Sequence, residues 1–91
     1  MTTVGVVGLN YWGPNLARNF ADLAELTWLC DLDDGHLSTL GSRYPDATPT
    51  KDLDDLLGDD ALDAVVIATP VPTHYALAKR ALEAGKHVFV E

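Results

Sequence analysis

Residues 4–15 of the chain read Val4-Gly5-Val6-Val7-Gly8-Leu9-Asn10-Tyr11-Trp12-Gly13-Pro14-Asn15. The β-branched valines favour a buried strand, and Gly8 and Gly13 supply backbone freedom and room where the chain reverses. Pro14 suits the first turn of a helix, where its missing N–H costs no hydrogen bond. The stretch therefore predicts a strand, a sharp turn and the start of a helix.

The predicted turn has the properties of an anion site. A helix that begins at Pro14 directs unpaired N–H groups and the positive end of its dipole toward the turn. No acidic residue follows Gly8 before Asp22. A phosphate at the turn would therefore meet backbone amides, with Arg18 as a nearby cation and no carboxylate to repel it. An ordinary strand-to-helix turn that binds nothing is the alternative.

The residues around the two glycines distinguish between two known phosphate-binding motifs. It matches the dinucleotide fingerprint G-x-G-x-x-G at Gly8 and Gly13, with Asn10 in place of the middle glycine. The mononucleotide motif G-x-x-x-x-G-K-[ST] fits the same two glycines but then requires Lys and Ser or Thr. This chain has Pro14 and Asn15 at those positions, which disfavours a mononucleotide loop.

A second candidate is Asp31, which directly follows the apolar run Leu26–Cys30 and lies 23 residues after Gly8. A carboxylate about 20 residues after the glycine turn accepts hydrogen bonds from an adenosine ribose. It also disfavours a ribose 2′-phosphate, and no Arg or Lys follows before Arg43, so NAD is favoured over NADP. Two alternatives remain: a plain loop residue, and a phosphatase nucleophile of the haloacid-dehalogenase type, although that motif follows the first strand rather than the second.

Apolar periodicity organises the rest of the chain. It predicts strands at residues 4–7, 26–30, 47–50, 64–68 and 87–90, alternating with helices at 14–24, 36–44, 52–57 and 75–84. The links between strands are far longer than hairpin loops, which indicates right-handed βαβ units. We expect an α/β fold: a doubly wound, Rossmann-like parallel sheet of about five strands, forming one dinucleotide-binding domain over residues 1–91.

Composition limits the partners. The net charge of −8 makes a basic nucleic-acid-binding or membrane-binding surface improbable. No apolar run approaches the ~20 residues of a membrane span and no signal peptide is present, so we expect a cytoplasmic protein. Cys30 is the single cysteine, which excludes an internal disulfide and a multi-cysteine metal site.

Further candidates come from the loops. In an open parallel sheet ligands bind beyond the carboxyl ends of the strands, where the loop Thr69-Pro70-Val71-Pro72-Thr73-His74 follows the fourth strand. His74 either contacts the nicotinamide end of a cofactor or caps the next helix. Tyr11 and Trp12, large rings within the glycine turn, are best explained by covering a ligand. His36 and His87 are interpreted as structural or surface residues.

The chain resembles the N-terminal domain of the Gfo/Idh/MocA oxidoreductases, which act on sugars, inositols and nucleotide sugars. The resemblance covers nearly the whole chain. It depends on the glycine turn continued to Leu16, on Asp31 at the end of the second strand, on Asp63-Ala64-Val65-Val66-Ile67-Ala68-Thr69-Pro70 with His74, and on Ala81-Leu82-Glu83-Ala84-Gly85-Lys86-His87-Val88.

The resemblance implies a set of cofactor contacts. Gly8 and the amides around Asn10, Tyr11, Trp12 and Gly13 would hold the pyrophosphate of NAD. Asp31 would bind the adenosine ribose, and Thr69, Pro70, His74 and Glu91 would lie on the nicotinamide side. The family usually continues the last strand as Glu-Lys-Pro, whose lysine assists proton transfer. This sequence ends at Glu91, so we assign no catalytic residue and expect binding without catalysis. We also assign no metal, because the aspartates lack the D-x-[DN]-x-[DN]-G pattern and His36 and His87 have no partner at metal-ligand spacing.

The parent protein is then expected to move hydride between the nicotinamide and a secondary alcohol of a sugar-like substrate, as a homo-oligomer. Two alternatives stay open: a non-catalytic NAD-sensing module of the same fold, and a nucleotide-binding module unrelated to redox chemistry. Asn10 departs from the family, since glycine there lets the backbone approach the phosphate. We therefore expect the Asn10 side chain to weaken cofactor affinity.

Overall fold

A computed structural model describes residues Met1–Glu91 and contains one five-stranded parallel sheet with helices on both faces. The strands are β1 Thr3–Val7, β2 Glu25–Cys30, β3 Thr48–Thr50, β4 Ala64–Ile67 and β5 His87–Val90. The helices are α1 Gly13–Leu23, α2 Asp34–Arg43, α3 Leu53–Leu57 and α4 His74–Glu83, with a 3₁₀ turn at Val71–Thr73. None of these helices combines the length and the apolar character needed to cross a membrane.

The strand order is β3-β2-β1-β4-β5, and every neighbouring pair is parallel. The chain runs outward from β1 through β2 to β3, then returns to the other side of β1 for β4 and β5. The order therefore reverses between β1 and β4, which is the switch point where such sheets open a crevice. The predicted doubly wound, Rossmann-like sheet of five strands is confirmed.

Two apolar clusters fill the two faces of the sheet. One packs Val4 and Val6 of β1 against Ala17 of α1 and Leu37 and Leu40 of α2. The other packs the opposite face against α3 and α4, and it comprises Val7, Cys30, Leu53, Leu56, Leu62, Val65, Ile67 and Ala81. Successive side chains of a strand point to opposite faces, so β1 contributes to both clusters and organises the domain.

Helix starts and one helix face differ in detail from the sequence expectation. Helix α2 begins at Asp34 rather than residue 36, because the Asp33 side chain caps it by accepting the His36 N–H at 3.0 Å. The apolar spacing of Leu16, Phe20 and Leu23 predicts one inner face for α1, but Leu23 is 77% exposed, whereas Ala17 is fully buried. Ala17 instead packs α1 against Val4 and Val6 of β1.

Candidate functional site

Three loops meet at the carboxyl edge of the sheet, beyond β1, β2 and β4. The Gly8 N–H donates to Cys30 O at 2.8 Å, which joins the turn after β1 to the end of β2. The Ala68 N–H donates to Val7 O at 2.8 Å, which joins the segment after β4 to the end of β1. The glycine turn therefore lies at the switch point, between the other two loops.

Gly8 and Gly13 are required by close backbone approaches. Gly8 has φ +95°, and a Cβ there would lie 2.8 Å from Ala68 C and from Thr69 N. A Cβ on Gly13 would lie 1.9 Å from Gly8 O. Helix α1 consequently begins directly against the turn, with no room for a side chain between them.

The turn presents a run of free backbone donors. No acceptor bonds to the N–H groups of Asn10, Tyr11, Trp12, Gly13 or Asn15. Helix α1 also lacks a side-chain N-cap and an acidic residue in its first turn. These unpaired amides at a helix start form a site for an anion such as a pyrophosphate.

Asp31 faces this turn from the end of β2. Its Oδ2 accepts the Leu9 N–H at 2.7 Å, and its Oδ1 accepts the Asp33 N–H at 2.8 Å. His36 Nδ1 lies 3.3 Å from the same Oδ2, and the Asp31 side chain is only 12% exposed. The interpretation of His36 as a structural or surface residue was therefore incomplete. A usable signal was present, because a helix capped by Asp33 places His36 in its first turn, facing back over the loop.

A cleft of about 660 Å³ opens beside Asp31, between the ends of the strands and helices α3 and α4. Of the predicted site residues, Gly8, Asn10, Asp31, Thr69 and Pro70 line it. The lining also includes residues that sequence reasoning did not identify, namely Leu32, His36, Lys51, Thr73, Leu77 and Arg80. Both of its cations are paired with acidic side chains, Lys51 with Asp34 at 3.0 Å and Arg80 with Asp54.

Five predicted site residues do not line the cleft: Tyr11, Trp12, Gly13, His74 and Glu91. Gly13 is buried at the start of α1. Tyr11 and Trp12 are 84% and 51% exposed, and their rings pack edge to face with centroids 5.8 Å apart. His74 is half-buried, and its Nε2 lies 2.6 Å from Thr69 O, so it braces the loop after β4. Glu91 is exposed, and its N–H extends the pairing of β5 with β4 by donating to Ile67 O at 3.0 Å. Arg18, expected near the phosphate, lies on the exposed side of α1.

Cys30 forms part of the cleft wall but is no nucleophile. Burial, followed by the charges of Asp31, Asp52 and Asp55, raises the pKa of its thiol to about 11. The thiol is therefore neutral at physiological pH and behaves as a small apolar side chain.

The strand order of this parallel sheet reverses between β1 and β4. A glycine turn with free amides follows β1, and a carboxylate stands at the end of β2. Together these features define a dinucleotide-binding Rossmann domain. The chain belongs to the Gfo/Idh/MocA family, because the profile described as "Oxidoreductase family, NAD-binding Rossmann fold" matches residues 2–91. It is thus an NAD-binding Rossmann domain of that oxidoreductase family.

Relatives share this domain. Inositol 2-dehydrogenase of Acidothermus cellulolyticus is 34% identical over 91 residues, which is 97% of this chain and 27% of that protein. GenD2 from gentamicin A biosynthesis, solved in complex with NAD, superposes with a TM-score of 0.92 at 34% identity, over 98% of this chain and 26% of that one. WlbA dehydrogenase from Bordetella pertussis, solved with NADH and UDP-GlcNAcA, gives a TM-score of 0.88 at 31% identity, over 97% and 27%. The chain spans about a quarter of the length of these relatives.

Proposed function

We propose that this domain binds NAD for an oxidoreductase that transfers hydride between the nicotinamide ring and a secondary alcohol of a sugar, inositol or nucleotide sugar. The observation that supports it most directly is the set of unpaired N–H groups at residues 10–13 and at Asn15, which lies at the switch point of the sheet beside Asp31. A helix start without a side-chain cap or a first-turn carboxylate favours a doubly charged pyrophosphate.

The residues present fit the cofactor. In this proposal the close packing around Gly8 and Gly13 lets the backbone reach the pyrophosphate, with Asn10, Tyr11 and Trp12 supplying N–H groups. Asp31 accepts from the hydroxyls of the adenosine ribose. The bound nicotinamide would supply the hydride acceptor or donor.

The nicotinamide side is proposed at the loop after β4. Thr69 and Pro70 lie at the cleft, and Thr73 Oγ1 lies 2.6 Å from both Thr69 Oγ1 and Pro70 O. His74 fixes the same loop through Thr69 O, so its proposed part is to orient rather than to contact the ring. Glu91 continues β5 toward this edge of the sheet.

Asp31 also supports a preference for NAD over NADP. Its carboxylate is largely buried, and a 2′-phosphate beside it would bring like charges together. Lys51, the cation of the cleft that follows β3, is already paired with Asp34. A phosphate would have to displace that pairing to be neutralised.

The sugar-like substrate is proposed from the relatives, one named for inositol and one solved with UDP-GlcNAcA. No residue of this chain is assigned to proton transfer. The extent of the domain as residues 1–91, the cytoplasmic location and the homo-oligomeric state of the parent protein stay predictions.

Titration with NADH and with NADPH tests the proposal, with Trp12 fluorescence and nicotinamide fluorescence as two independent signals. We expect NADH to bind at least about tenfold more tightly than NADPH, equivalent to ~1.4 kcal/mol. Tighter binding of NADPH would contradict the role given to Asp31. The absence of binding at millimolar NADH would contradict the proposed function itself.

A further inference from the structure

The Asp31 carboxylate makes more contacts than a ribose acceptor requires. Without any ligand it already meets nitrogen atoms from three segments: Leu9 N in the glycine turn, Asp33 N in its own loop and His36 Nδ1 in α2. The 2.7 Å bond to Leu9 is the shortest of the three, and its two partners are 22 residues apart in sequence. A hydrogen bond that a backbone N–H donates to a largely buried carboxylate is among the stronger ones in proteins.

The bond to Leu9 divides the amides of the turn into two groups. The first two N–H groups after β1 both bond to the end of β2, Gly8 to Cys30 O at 2.8 Å and Leu9 to Asp31 Oδ2. The N–H groups from Asn10 to Gly13 have no protein acceptor. Leu9 is also held from the other side, because its side chain is 2% exposed within the cluster beneath α1 and α2. The carboxylate thus fixes the backbone immediately before the free amides.

His36 holds the carboxylate in turn. It stands in the first turn of α2, where its own N–H donates to Asp33 Oδ1 at 3.0 Å. This cap holds the His36 backbone in the first turn of α2, and the ring Nδ1 lies 3.3 Å from Asp31 Oδ2. In the tautomer that carries a proton on Nδ1, the ring donates to Asp31 Oδ2 and favours the carboxylate orientation that also accepts the Leu9 N–H.

We propose that Asp31, oriented by His36, is a positioning residue that holds the glycine turn in the shape that binds pyrophosphate, in addition to accepting the adenosine ribose. Its effect on ligand binding rests on the proposed function, whereas its hold on the turn does not. The carboxylate then stabilises binding of the pyrophosphate, which it does not contact. Removing it to admit NADP would also loosen the pyrophosphate site.

The first test measures hydrogen exchange of the assigned Leu9 amide by NMR in the whole chain. In Asp31→Ser the acceptor is lost, and we expect exchange at Leu9 to accelerate at least about tenfold. In His36→Leu we expect a smaller acceleration, and in His36→Asn, whose amide nitrogen can replace Nδ1, we expect slow exchange to return. Asp22→Ser removes an exposed carboxylate from α1 and serves as the matched control. Unchanged Leu9 exchange in Asp31→Ser would overturn the proposal.

The second test measures affinity for inorganic pyrophosphate, which contains no ribose, from the amide shifts of residues 10–13. If Asp31 served only the ribose, removing its negative charge would leave pyrophosphate affinity unchanged or increase it, as in Asp22→Ser. We expect instead a loss of about fivefold or more in Asp31→Ser and a smaller loss in Asp31→Asn, which retains an acceptor. Unchanged or increased pyrophosphate affinity in Asp31→Ser would overturn the positioning role.

The two proposals fail in different ways. If pyrophosphate does not change the amide chemical shifts of residues 10–13 in the unaltered chain, the proposed cofactor site is wrong. Hydrogen exchange at Leu9 then still decides whether Asp31 holds the turn. If Asp31→Ser does not fold, Asp31→Asn and His36→Leu provide the same comparison, with Leu9 exchange expected to accelerate in both.

Discussion

At the scale of single residues, the glycine turn requires glycine because neighbouring backbone atoms leave no room for a Cβ. Gly8 lies against the backbone of Ala68 and Thr69, and Gly13 lies against Gly8 itself. Gly41, within α2, has no atom within 4 Å of the position where a Cβ would be placed. The same substitution should therefore have opposite effects at different glycines.

Gly8→Ala is expected to lower the free energy of unfolding by about 2 kcal/mol or more, because the new Cβ meets backbone atoms and the residue keeps a positive φ. Gly41→Ala is the matched control and should stabilise the chain by ~0.5–1 kcal/mol, since alanine favours a helix interior over glycine. Urea denaturation measures both. A Gly8→Ala chain as stable as the unaltered one would contradict the tight contact between the turn and the loop after β4.

Asn10 is the other residue for which a sharp prediction is possible. Its side chain is exposed and lines the cleft at the position where the fingerprint has glycine. Asn10→Gly is expected to raise NADH affinity about fivefold, equivalent to ~1 kcal/mol, because the phosphate can then approach the backbone more closely. Isothermal titration measures the change. Unaltered affinity would show that the Asn10 side chain is no obstruction.

At the scale of elements, the amino ends of β1 and β4 are joined by a reciprocal pair. The Thr3 N–H donates to Asp63 Oδ2 at 3.0 Å, and the Asp63 N–H lies 3.0 Å from Thr3 Oγ1. The backbone N–H of Thr3 is the main reason that the pKa of the Asp63 carboxyl is lowered from 3.8. This pair sets the register of the two central strands at the edge opposite the candidate site.

Asp63→Asn is expected to reduce stability at pH 7 and to flatten the acid limb of the stability curve. Because the folded-state pKa is lowered, the carboxylate stabilises the fold above the unfolded-state value of 3.8. That contribution is lost as the pH falls through the lowered pKa, so the variant and the unaltered chain should converge in strong acid. Urea midpoints between pH 2 and 7 measure this, with Asp60→Asn as a control that removes no hydrogen bond. Parallel curves would contradict the role of Asp63.

At the scale of the whole molecule, β1 belongs to both apolar clusters and its end forms the glycine turn. A ligand at the turn therefore stabilises the segment on which both faces of the sheet depend. Binding to the folded state alone adds RT ln(1 + [L]/Kd) to the free energy of unfolding.

NADH at about 100 times its Kd should add ~2.7 kcal/mol. For a domain of 91 residues each kcal/mol raises Tm by about 4–8 °C, so an increase of about 10 °C or more is expected. Circular dichroism measures the transition. Reduced nicotinamide mononucleotide at the same concentration lacks the adenosine half and should give a much smaller increase. Equal increases would contradict the adenosine site at Asp31.

Several features of the fold followed from local physics. Gly8 and Gly13 predict a turn because glycine frees the backbone, and Pro14 predicts a helix start because proline fixes φ at a helical value. The apolar run Ala64–Ile67 predicts a strand covered on both faces. The position of Asp31 at the candidate site could be predicted because the end of a strand next to the glycine turn has a defined place in this class of sheet.

What the sequence by itself determined is therefore the class of fold, its elements and the loops that form the site. Only the tertiary structure decided which side chains from distant segments meet there, namely His36 against Asp31, and Lys51 and Arg80 in the cleft. It also decided that Trp12 lies on the surface. Turn and strand propensities act between near neighbours, and so they can be read along the chain. Contacts such as Leu9 with Asp31 depend on strand order and helix packing, which arise only when both faces of the sheet are filled together.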